Sequence, residues 1–148
     1  MLSSVVAVEE LEELVAQFAS GRLPKCEWTH AAHLQVGAWY VYHHGAGAAL
    51  ALLREQIRRL NLEHGTPNSA SEGYHETITA AYVRLLAEYL AAFAEDVPLT
   101  ERIAQMLSSP FANRQLLLRF WSRGLLFSAR ARAEWVPPDR QPLVDVEP

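Results

Sequence analysis

Residues 28–44, WTHAAHLQVGAWYVYHH, begin with a helix N-cap signal and then enter the longest apolar region of the chain, residues 34–53. Polar side chains and three glycines interrupt that region, whereas a membrane span requires about 20 predominantly apolar residues. We therefore predict two buried helices here and no association with a membrane. Thr29 is the expected N-cap of the first helix, because its hydroxyl can accept a hydrogen bond from a free amide of the first turn.

Helical periodicity extends on both sides of this segment. An apolar stripe at i, i+3, i+4 and i+7 precedes it and should end at Gly21. Further helices are predicted over about residues 48–63, 73–94, 99–107 and 113–121, followed by a short helical turn near residues 129–135 and a proline-rich tail.

The sequence contains no strand-like alternation of useful length, so we predict a single all-α domain over residues 1–148. Its core, about residues 5–107, should be an antiparallel four-helix-bundle-like arrangement of the first four helices. Additional short C-terminal helices and the proline-rich tail, about residues 111–148, should pack across one end or side of that core.

Composition excludes several classes of protein. The 148 residues include a single cysteine, Cys26, which rules out an intramolecular disulfide scaffold and a metal site built mainly from thiolates. A formal net charge of −4 argues against nucleic acid as the main partner. The first residues lack the basic start and unbroken apolar stretch of a targeting signal, so we expect a cytoplasmic protein, as a monomer or a homodimer.

Three histidines form the candidate site. His30 and His33 are at i and i+3, so both imidazoles project from one helix face and are close enough to bind one metal ion. In an antiparallel bundle the second and fourth helices run parallel, which places His75, at the start of the fourth helix, at the same end of the molecule. Three histidines with one open coordination position suit zinc, nickel or iron in its ferrous state.

Four further side chains are predicted to act on a small-molecule substrate of this metal site. Glu76 could be a general acid or base, and Tyr74 a hydrogen-bond donor during catalysis. Thr79 and Arg123 are the predicted substrate-binding residues. The reaction would be that of a metal-dependent hydrolase or transferase, in which the metal polarises a substrate oxygen or lowers the pKa of a bound water.

Two alternatives use the same residues without a metal. The free amides of two parallel helices, together with the histidines, could bind an anion or a carboxylate in a metal-free pocket. The histidines could also be neutral, hydrogen-bonded core residues, because the positive end of a helix dipole disfavours the imidazolium. The protein would then be a non-catalytic metabolite-binding module, or an interaction module that pairs with a second copy of itself.

The motifs W-T-H-x-x-H-L at residues 28–34 and G-Y-H-E-T at residues 73–77 resemble those of an uncharacterised group of short bacterial all-helical proteins. C-terminal features between residues 122 and 139 look like the ending of the same group. The resemblance covers most of the chain and implies a bacterial, all-helical protein. It implies no reaction, since no established activity belongs to that group.

Overall fold

The computed structural model describes residues 7–143. Within this range the chain is all-α and contains no strand. The α-helices are α1 Val8–Ser20, α2 His30–His44, α3 Ala46–Glu63, α4 Glu76–Ala91, α5 Leu99–Leu107, α6 Arg123–Leu126 and α7 Ala129–Ala133. Short 3-10 turns lie at Lys25–Glu27, Pro110–Ala112 and Leu116–Arg119.

Local capping signals set the ends of the first two helices as predicted. Gly21 ends α1 in the left-handed conformation, with φ 79°, which glycine adopts without a steric penalty. Thr29 caps α2, and its hydroxyl accepts a hydrogen bond of 3.2 Å from the amide of Ala32. The cap fixes where α2 begins, and therefore which face of the helix carries the histidines.

Helix α2 lies at the centre of the fold and packs against α1, α3, α4 and α5. His30 of α2 contacts the ring of Tyr82 edge-on, and farther along both helices Gly37 faces Leu86. Since the pairing advances in the same direction on both, α2 and α4 run parallel. A β-carbon at Gly37 would lie 2.9 Å from Leu86 Cδ1, so glycine permits the close approach of the two helices. The predicted all-α, bundle-like fold is confirmed.

Two predicted helix starts are displaced. Helix α3 begins at Ala46 rather than near residue 48. Gly45, with φ 82°, is both the C-cap of α2 and the N-cap of α3, so a single residue separates the two helices. Helix α4 begins at Glu76 rather than near residue 73, because the ring of His75 acts as its N-cap. That imidazole accepts a hydrogen bond at Nδ1 from the amide of Ile78, at 3.1 Å.

The predicted helix over residues 113–121 is wrong. Only Leu116–Arg119 forms a helical turn there, of the 3-10 type. The Asn113 side chain accepts a hydrogen bond of 2.9 Å from the amide of Gln115, which favours a local turn over a continuous α-helix. The apolar residues that suggested a helix are instead buried in the core, as Leu116, Leu117, Phe120 and Trp121.

The C-terminal third packs against the N-terminal half of α4. Thr77 donates its hydroxyl hydrogen to the carbonyl of Glu134, at 2.8 Å, and accepts a hydrogen bond from the amide of Val136, at 3.2 Å. The indole of Trp121, which is fully buried, donates to the carbonyl of Val136 at 3.0 Å. Within the described range, every helix is too short or too polar to cross a lipid bilayer.

Candidate functional site

A cavity of about 410 Å³ opens between α2, α3 and α4. That volume falls in the range of about 300–1,000 Å³ that is usual for small-molecule sites. The interior is lined by apolar residues of all three helices: Leu34, Gly37, Leu53, Ile57, Ile78, Val83 and Leu86. Polar and aromatic residues complete the lining: Trp28, Thr29, His30, His33, Thr79, Tyr82 and Arg114.

The most exposed lining residues mark the mouth of the cavity: Thr29, His33 and Arg114. The His33 ring stacks on Trp28, with ring centroids 3.6 Å apart. Its Nδ1 lies 2.7 Å from the carbonyl of Thr29, and a carbonyl only accepts, so Nδ1 carries the hydrogen. The neutral ring therefore keeps a lone pair on Nε2, which has no hydrogen-bond partner among residues 7–143.

The pKa of His33 is lowered from its ordinary value of 6.5 to about 4, mainly because packing removes solvent from the ring. The positive charge of Arg114 and the proximity of His30 lower it further. His33 is nevertheless an exposed residue, and water at its open edge limits this desolvation. With a pKa below 6.5, the ring is predominantly uncharged at neutral pH.

Arg114 is an exposed cation at the cavity mouth. Within the described range its guanidinium takes part in no ion pair and no hydrogen bond; the two ion pairs found there are Arg54–Glu76 and Arg130–Glu134. No acidic residue is part of the described cavity lining. The mouth therefore carries a positive charge that no acidic side chain among residues 7–143 pairs with.

His30 also lines the cavity and joins it to the segment that carries Arg114. Its Nε2 donates to the carbonyl of Phe111 at 2.9 Å, again because a carbonyl only accepts. Phe111 is fully buried and lies in the 3-10 turn Pro110–Ala112 that precedes Arg114. This hydrogen bond holds the Arg114 segment against the N-terminal end of α2.

The structure does not bring His75 together with His30 and His33. Its Nδ1 accepts from Ile78, and its Nε2 donates to the carbonyl of Leu126 at 2.7 Å, so neither nitrogen has a free lone pair for a metal. His75 is absent from the cavity lining. Within residues 7–143, no group of three or more His, Cys, Asp or Glu side chains is arranged to hold a metal ion.

The two predicted catalytic residues form a network of their own. Arg54 binds Glu76 with two hydrogen bonds of 3.0 and 2.7 Å, and the Tyr74 hydroxyl donates to Glu76 at 2.8 Å. Both partners hold the pKa of Glu76 below its usual range, with Arg54 the larger cause. Burial and the adjacent carboxylate raise the pKa of Tyr74. Neither Tyr74 nor Glu76 lines the cavity.

Of the two predicted substrate-binding residues, only one lines the cavity. Thr79 lines the cavity, although its hydroxyl donates to the carbonyl of His75 at 2.8 Å. Arg123, at the start of α6, lies outside the lining, and its guanidinium is over the ring of Phe127 at 5.8 Å. Arg114 and Tyr82 were not predicted as site residues. Arg114 is one of five arginines between residues 114 and 132, and the sequence does not distinguish it from the others.

Tyr82 is an unusual lining residue because its buried hydroxyl has no hydrogen-bond partner among the described residues. Burial raises the pKa of Tyr82 to about 12. A buried polar group without a partner costs about 1–3 kcal/mol.

Tyr82→Phe should therefore raise the free energy of unfolding by about 1 kcal/mol, because it removes an unpaired hydroxyl and keeps the ring. Tyr40→Phe is the matched control, since the Tyr40 hydroxyl donates to Gln56 and its loss should destabilise the protein. Urea denaturation followed by circular dichroism measures both effects. A Tyr82→Phe protein as destabilised as Tyr40→Phe would show that the Tyr82 hydroxyl has a partner.

Comparisons of the chain with protein-family models, with curated proteins and with solved structures find no match. The function is therefore inferred from the geometry of the site.

Proposed function

We propose that the protein binds a small organic acid with an apolar body, whose carboxylate lies at the mouth of the cavity beside Arg114. The observation that carries this proposal is an apolar cavity of about 410 Å³ with, at its opening, a guanidinium that forms no ion pair in the part of the chain that the structure describes. A guanidinium matches the planar geometry of a carboxylate and can bind it with two parallel hydrogen bonds.

The interior supports an apolar body for the ligand. Leu34, Leu53, Val83 and Leu86 are buried and line the cavity, and Ile57 and Ile78 complete its apolar surface. Each methylene that leaves water for such a surface contributes about 0.8 kcal/mol. A medium-length alkyl chain or an aromatic ring would therefore supply most of the affinity, while the carboxylate fixes its orientation.

We assign binding rather than a reaction to this site. The Thr29 hydroxyl accepts from the amide of Ala32, and the Thr79 hydroxyl donates to the carbonyl of His75. A nucleophilic hydroxyl would require a hydrogen bond to a neighbouring base, and within the described range no lining hydroxyl makes one to the imidazole of a histidine.

The metal-dependent hypothesis loses His75, because both of its nitrogens are engaged, and only His30 and His33 of the three predicted ligands line the cavity. Two histidines leave a metal site short of the three or four protein ligands that zinc usually takes. The organic-acid proposal accounts in addition for the apolar lining and for Arg114. A cytoplasmic location and a monomeric or homodimeric state stay predictions from the sequence.

Isothermal titration calorimetry with octanoate, phenylbutanoate and octanol tests the proposal. We expect one-to-one binding of at least one of the two carboxylates, and weaker binding of octanol, which has the alkyl chain without the charge. Ile57→Trp should weaken carboxylate binding by about 10-fold or more, because the larger side chain occupies part of the cavity.

Leu62→Trp is the matched control for Ile57→Trp. It places the same side chain on the same helix at a position that is 64% exposed and outside the cavity lining. The Leu62→Trp protein should bind the carboxylates with the affinity of the unmodified protein. Failure of both carboxylates to bind at millimolar concentration, or equal weakening by the two tryptophans, would contradict the proposal.

A further inference from the structure

His33 lies at the cavity mouth together with Arg114, and only one of its two ring nitrogens is hydrogen-bonded among the described residues. Nδ1 donates to the Thr29 carbonyl, which fixes the tautomer, and stacking on Trp28 fixes the ring plane. The Nε2 atom has no partner among the described residues. The ring is thus oriented like a histidine that is held by one nitrogen and offers the other to a ligand.

Among the described residues, the groups that act electrostatically on His33 are both basic. From its own helix it meets His30, and from the segment after α5 it meets Arg114, and both disfavour its protonation. The lining residues of α3 are apolar, and those of α4 include only Thr79 and Tyr82 as polar groups. The described lining contains no carboxylate, so none of its side chains could serve as a counter-ion to the imidazolium.

A bound carboxylate would supply that counter-ion. Placed beside Arg114, the anion balances the guanidinium and lies next to the open nitrogen of His33. An opposite charge within about 4–6 Å favours the charged form of a histidine. Protonation of Nε2 would also convert an acceptor into a donor, which is the form a carboxylate can bind.

We infer that binding of the organic acid is coupled to uptake of one proton by His33 Nε2, so that imidazolium and guanidinium together hold the anion. This inference rests on the proposed function. One N–H bond forms, the proton comes from the solvent, and no other bond changes. The affinity then increases as the pH falls from neutrality, and the site takes up its ligand more readily at mildly acidic pH.

Calorimetry in two buffers of equal pH and ionic strength but different ionisation enthalpy measures the proton uptake. At about pH 6 we expect about half a proton or more to be taken up per bound octanoate. Octanesulfonate is titrated in parallel, because its head group does not accept a proton in this range. Any proton uptake measured with octanesulfonate is therefore uptake by a group of the protein.

His33→Gln should bind octanesulfonate with no proton uptake, whereas His64→Gln should retain it. His64 is a suitable control because its Nε2 donates to the carbonyl of Leu23, outside the cavity lining. Proton NMR of the unmodified protein provides a readout that needs no variant. The His33 ring signal should titrate at a higher pH with ligand bound than without it.

The outcomes separate the two proposals. Absence of binding by octanoate and phenylbutanoate defeats the proposed function, and the coupling with it. Binding without proton uptake, or uptake that persists in His33→Gln, overturns the coupling to His33 and leaves the proposed function standing. An unchanged His33 titration in the presence of bound ligand overturns the coupling as well.

Discussion

Arg102→Met should lower the free energy of unfolding by about 3 kcal/mol. Arg102 is 6% exposed, and its guanidinium donates to the carbonyls of Leu90, Ala94 and Val97 at 2.9–3.0 Å. Hydrogen bonds to charged groups contribute about 1.5–3 kcal/mol each, although such contributions are not additive. Methionine preserves much of the buried stem but leaves the Leu90 carbonyl of α4, and the Ala94 and Val97 carbonyls of the α4–α5 connection, without their donor.

The contact bears on the cavity because α4 also carries five of its lining residues, of which Leu86 lies nearest that end, one helical turn before Leu90. Urea denaturation of Arg102→Met and of Arg119→Met provides the comparison. Arg119 is exposed, and its removal should change the stability by less than about 0.5 kcal/mol. Equal stability of the two variants would show that Arg102 does not hold the α4–α5 connection.

Arg114→Gln should weaken the binding of octanoate by about 30-fold. The change removes the charge at the cavity mouth and keeps a polar, although shorter, side chain. Loss of a charge-assisted pair corresponds to about 2 kcal/mol, which is about 30-fold in affinity. Octanol binding should change little, because that ligand has no charge for Arg114 to recognise. Calorimetry of both ligands against both proteins measures the difference.

Arg119→Gln is the control for net charge, since it removes an exposed arginine outside the cavity lining. Octanoate should bind it as it binds the unmodified protein. If both arginine variants weaken binding equally, the effect is that of overall charge and not of a contact with Arg114. If neither does, the carboxylate does not lie at the predicted mouth.

Local signals explain which parts of the fold could be predicted. A glycine at Gly21 and a hydroxyl at Thr29 act within one helical turn, so the ends that they set are legible in the sequence. His75 is a less obvious case, because an imidazole can replace the usual side chains as an N-cap. Recognising that cap requires knowing that Nδ1 points back to the first turn.

Which residues form the cavity and its mouth depends on tertiary contacts, and these cannot be deduced from the helical periodicity of the sequence. His30 and His33 were correctly assigned to one helix face, and the parallel course of α2 and α4 agrees with the predicted bundle. The segment after α5 could not be placed in advance, since its apolar spacing imitates a helix while Asn113 turns the chain. That turn, together with the hydrogen bond from His30 to Phe111, positions Arg114.

A crystal structure with a bromine-labelled octanoate tests the central claim most directly, because anomalous scattering locates the bromine without assumptions about the ligand. With the bromine at the end of the chain, we expect its peak among Leu53, Ile57 and Leu86. The carboxylate should lie within hydrogen-bond distance of Arg114 and His33. A bromine peak outside the cavity, or a ligand bound in the reverse direction with its carboxylate in the apolar interior, would contradict the account.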